Sequence, residues 1–64
     1  MKVSLDKIEI ARARSRMTVS NLAKAHGVSR ARMNAILNQR ELTPVCAGRL
    51  ASALGVDVRE ILED

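Results

Sequence analysis

Residues 18–38 read TVSNLAKAHGVSRARMNAILN, two short amphipathic segments that meet at a glycine. Thr18 is placed to cap the first segment, and Val19, Leu22, Ala23 and His26 recur at helical spacing along one stripe. Gly27 stands just past the last turn, where a left-handed residue lets the chain bend sharply. Val28 plugs the corner. Ser29 caps the second segment, whose Met33, Ile36 and Leu37 form an inward stripe at i, i+3 and i+4. The opposite face carries Arg30, Ala31, Arg32, Asn34 and Ala35. Guanidinium and amide groups near a helix start match the hydrogen-bonding edges of bases, whereas alanine can only touch a methyl.

Upstream, Ser4 is an N-cap with Asp6 in the first turn, and Val3 is placed to staple onto Ile8. This predicts a helix over 5–15 with Leu5, Ile8 and Ala11 or Arg12 toward the core; Ile10 has no clear place in that stripe. Arg16 and Met17 form the connection to the next helix. Downstream, Thr43-Pro44 is a cap followed by a proline at the first helical position, which predicts a helix over 44–54. Its expected apolar stripe is Val45, Gly48 or Arg49, Leu50, Ala53 and Leu54, and Gly55 ends it. Asp57 caps a short last helix over 58–63. The pattern is one all-α domain over 1–64, with helices at about 5–15, 19–26, 30–37, 44–54 and 58–63.

Laid out in this way, the stretch from Leu5 to Leu62 resembles, without a gap, the Cro/C1-type (XRE-like) DNA-binding domain of phage repressors and small bacterial regulators. The residues that carry the resemblance are Arg12, Leu22-Ala23, Gly27-Val28-Ser29, Ile36, Asn38, Pro44 and the run LASALGV over 50–56. It implies a compact five-helix lambda-repressor-like fold with a helix-turn-helix at helices 2 and 3. By carry-over, Arg30, Ala31, Arg32, Asn34 and Ala35 would read bases, and Thr18, Ser20, Asn38, Arg40 and Arg12 would meet phosphates. Val56, Val58, Ile61 and Leu62 would form a two-fold dimer contact. Three positions depart from the pattern. Leu37 replaces a glutamate that usually pairs with the arginine at Arg12, so Arg12 must find another carboxylate, solvent or a phosphate, the last two being preferred. Val19 replaces a phosphate-touching glutamine. Gln39 replaces a glycine, and a left-handed Gln39 would cost about 1 kcal/mol, so the loop there is expected to take another shape.

Composition narrows the function. A chain of 64 residues buries only roughly 60% of its unfolded surface and makes one small domain. No aromatic residue is present to stack on single-stranded bases. Cys46 is a lone cysteine, read as a small packing residue, and His26 as a partly buried helix-end residue. With one histidine and one cysteine, no metal set, nucleophile dyad or acid–base pair assembles, so neither an enzyme nor a cofactor is expected. No membrane span or signal peptide is apparent, and a reducing cytoplasm is the natural setting. The charge of +4 is uneven. Nine Lys or Arg oppose only Asp6 and Glu9 up to Arg40, giving +7, whereas 41–64 carries −3. The basic half suits double-stranded DNA, and the resemblance implies a second copy of the chain as partner, in a regulator that binds a roughly palindromic operator. The alternative is a HigA-like antitoxin that binds a toxin protein.

Overall fold

The computed structural model describes residues 1–63, and every helix in it starts where a side chain supplies the missing acceptor. Helix α1 spans Leu5–Arg14, α2 Val19–His26, α3 Arg30–Leu37 and α4 Pro44–Leu54. Their first turns are closed by backbone N–H donors to Ser4 Oγ (3.2 Å), Thr18 Oγ1 (3.0 Å), Ser29 Oγ (3.1 Å) and Thr43 Oγ1 (3.2 Å). Each such cap contributes about 1 kcal/mol against alanine. A last turn, Val58–Glu60, is opened by Asp57 in a capping box with Glu60. This element corrects the expected fifth helix over 58–63: it is a single 3-10 turn, because Ile61–Glu63 leaves the helix to meet the N-terminal segment.

Three of the four α-helix ends follow one design. Gly27 and Gly55 adopt φ of 87° and 74°, and the amides of Val28 and Val56 reach back to the carbonyls of Ala23 and Ala51 at 3.0 Å. This is the bond pattern of a left-handed helix terminus. Helix α1 ends the same way without a glycine. Arg16 holds φ of 55°, and Met17 N donates to Arg12 O at 3.0 Å. Gln39 does not take a positive φ, so the loop after α3 has the altered shape its side chain required.

The N-terminal segment was not legible as structure. Val3 N donates to Arg40 O and Ser4 N to Ile61 O, each at 2.8 Å, while Leu42 N and Glu63 N donate to the carbonyls of Met1 and Lys2. Two isolated antiparallel bridges, Lys2 to Glu41 and Val3 to Leu62, result. The segment thus clasps the loop after α3 to the end of the chain. Val3 is buried with Ile8 in the core, as a staple would place it.

The core gathers Ile8, Leu22, Met33, Leu50 and Ile61 as its largest fully buried side chains, with α2 packed on both α3 and α4. Two stripes differ from expectation. Leu5 is 49% exposed, because α1 turns only Ile8 and Ala11 inward. In α4 the buried positions are Ala47, Leu50, Ala51 and Leu54, and Val45 is 72% exposed. The true stripe follows i, i+3, i+4 and i+7, and its small members let α4 approach its neighbours closely.

Candidate nucleic-acid interface

Helix α3 is pinned from beneath by Met33 and Ile36, both buried, and half-buried Leu37. That fixes what faces outward. Residues four apart lie one above the other, so the exposed surface resolves into two parallel pairs and a single flanking residue. Ala31 and Ala35 run along the middle. Arg30 and Asn34 form one flank. Arg32 lies on the other, above buried Ile36, on the side nearest α4. All five residues are exposed. A ridge of two methyls between polar flanks permits close approach of the helix axis to a ligand surface, with long donors on both sides. Among the described residues, no hydrogen bond or ion pair engages the guanidinium of Arg30, Arg32 or Arg40.

Four of the five predicted phosphate residues fall at three places. Thr18 and Ser20 sit at the start of α2, Thr18 exposed and Ser20 half-buried. Thr18 Oγ1 already accepts from Asn21 N, which leaves its hydroxyl proton for an anion. Exposed Asn38 is the C-cap of α3, and its N–H donates to Asn34 O at 3.1 Å. Arg40 projects from the following loop, whose backbone is held by the bond from Val3. The N-terminal clasp therefore steadies a residue of the candidate interface, and no sequence signal marked it.

Arg12 behaves differently from the preferred expectation. Its Nη2 donates to Glu9 Oε2 at 2.6 Å and its Nη1 to Met17 O at 3.1 Å. The substitute carboxylate lies one turn back on the same helix. Among the described residues its buried Nε has no hydrogen-bond partner. Arg12 is thus engaged within the domain, where it braces the connection from α1 to α2.

The dimer residues divide. Ile61 is fully buried and belongs to the core of its own chain, so it is removed from the expected contact. Val56, Val58 and Leu62 are half-buried against that core and keep only part of their surface outside.

His26, expected to be partly buried, is 6% exposed at the end of α2. Its carbonyl accepts from Arg49 Nη2 at 3.2 Å. Burial first, and the Arg49 charge second, hold the imidazole pKa below its ordinary 6.5. Arg49 thereby connects α4 to the bend between α2 and α3, a role that only the fold reveals. Among the described residues no cluster of three His, Cys, Asp or Glu could hold a metal ion, and no helix is long and apolar enough to cross a membrane.

Comparison with known proteins bears on this arrangement directly. The family model for the Cro/C1-type HTH DNA-binding domain matches residues 7–64. No curated protein and no solved structure gives a match.

Proposed function

We propose the following for this chain, which belongs to the Cro/C1-type helix-turn-helix DNA-binding family: it reads a specific duplex sequence as a homodimer and acts by occupying an operator. Membership in the family supports a DNA-binding transcriptional regulator. The finer reading rests on one observation: α3 buries one stripe and leaves Arg30, Arg32 and Asn34 exposed around a ridge of alanines. In this reading α2 and α3 are the helix-turn-helix, α3 enters the major groove, and its alanine ridge sits against thymine methyls. Arg30 and Arg32 then meet guanine O6 and N7, and Asn34 meets adenine N6 and N7. Thr18, Ser20, Asn38 and Arg40 hold the phosphates on either side and set the register.

Dimerisation uses the apolar surface left by Val56, Val58 and Leu62, without Ile61. Two reading helices would then lie about 34 Å apart on successive major grooves. The setting is cytoplasmic, and control is by repression through occupancy rather than by catalysis.

Selection from random duplex DNA at near-physiological salt, followed by sequencing of the bound pool, tests this. An inverted repeat with half-sites one helical turn apart is expected. Arg32→Ala should cost about 1–3 kcal/mol on that site and relax one base position, whereas Arg40→Ala should weaken all sequences alike. No enriched sequence, with binding that vanishes as salt rises, would reduce the basic face to a phosphate-binding surface. For the dimer, Val58→Asp is the variant of choice. Ile61→Ala would be uninformative, since it opens the core at a cost of about 2–5 kcal/mol.

A further inference from the structure

Between the bend after α2, the outer side of α3 and the start of α4 lies an open groove of about 270 Å³. Its aliphatic surface comes from half-buried Val28 and exposed Val45, with buried Ile36 at the floor, and Arg32 and Arg49 line it as well. Among the described residues no carboxylate lines it, and Val45 leaves 72% of its surface in solvent. His26 also borders it, with a buried Nδ1 that has no hydrogen-bond partner among the described residues. Two cations and an apolar surface with no acid to answer them form a half-site. The volume lies just below the roughly 300–1,000 Å³ of ordinary ligand pockets, which restricts the occupant to a small molecule.

The geometry points to a binding site for a short branched aliphatic carboxylate, which sits in this groove and withdraws Arg32 from DNA. The carboxylate accepts from the two guanidinium groups, and the alkyl end covers Val28, Ile36 and Val45. Arg is suited to this task, because its planar donor array matches a carboxylate in two-point contact. The regulatory half of the inference rests on the assignment of Arg32 as a base reader; the binding half does not. A ligand this small binds in roughly the millimolar range.

The test uses isovalerate as probe, isovaleramide as the uncharged control and acetate as the short-chain control. Backbone amide NMR of the DNA-free chain should show saturable shifts confined to 26–28, 32–36, 43 and 45–49 with isovalerate, and neither control should reproduce them. Val45→Glu, a change at an exposed position, and Arg49→Gln should each abolish the shifts. At saturation, affinity for the selected operator should fall at least severalfold in the native chain and stay constant in Val45→Glu. Absence of saturable shifts, equal shifts with isovaleramide, or binding that leaves operator affinity unchanged would overturn the inference. Should the chain select no operator at all, the DNA-free titration still decides the site, and the failure belongs to the reading of α3.

Discussion

Arg49 Nη2 lies 3.2 Å from the carbonyl oxygen of His26, a hydrogen bond that crosses from the middle of α4 to the last turn of α2. The two residues are 23 apart in sequence. The carbonyl belongs to the negative end of α2, where a cation is favoured, and the bond spans the corner that sets the angle between α2 and α3. A further sign of how closely the guanidinium covers the bend is that a Cβ on Gly27 would lie 3.7 Å from Arg49 Nη2.

Arg49→Met keeps the aliphatic stem and removes this donor. The loss should be about 1 kcal/mol, which for a domain of this size lowers the midpoint of thermal unfolding by roughly 4–8 °C. A melting curve at neutral pH measures it, and an unchanged midpoint would mean that water replaces the bond at no cost.

The same pair sets a pH response. The folded pKa of His26 is lowered, so the unfolded chain takes up the proton first. Stability from this group is therefore complete above about pH 6.5 and declines as pH falls below that value toward the lowered one. Asp57, whose carboxyl is lowered by hydrogen bonds from Arg59, loses its contribution only in a more acidic window, below 3.8. Urea unfolding at about pH 7.0 and about pH 5.5 should show a drop that His26→Leu largely removes, since histidine is the side chain whose ordinary pKa lies in that interval. An equal drop in the variant would assign the response elsewhere.

Arg16 occupies the left-handed position that Gly27 and Gly55 occupy at the ends of α2 and α4. Arg16→Gly should stabilise the domain by roughly 0.5–1 kcal/mol, the strain of a side chain at positive φ less the added freedom of the unfolded chain. The denaturant midpoint should rise with an unchanged slope.

Two substitutions in the first turns of α4 separate its actual register from the expected one. Ala47 is fully buried, and Ala47→Leu should cost about 1–3 kcal/mol by overpacking. Val45→Ser, at a site 72% exposed, should stay within about 0.5 kcal/mol. Were the costs reversed, α4 would be rotated from its described position.

Local chemistry alone determined the helix starts. Ser4, Thr18, Ser29, Thr43 and Asp57 each cap within a few residues of themselves, and Gly27 and Gly55 answer a local demand for positive φ. The inward and outward faces of α3 followed from periodicity, because eight residues with three apolar positions allow one orientation. The stripe of α4 did not, since alanine is small enough to read as neither core nor surface. There only the close packing on α2 and the last turn selects Ala47 and Ala51 over Val45.

Tertiary structure decided the rest, for reasons of sequence distance. The final helix shortened to one turn because the backbone of Ile61–Glu63 found partners in Lys2–Ser4. Ile61 was drawn from the expected interface into the core by the same clasp. Arg12 turned to Glu9, and Arg49 reached His26, because each cation met an acceptor that the fold or a helical turn brought within about 3 Å. Capping and periodicity act over one helical turn and are written in the order of residues. Pairing across the chain depends on which groups compete for each partner, and that competition is settled only when the helices pack.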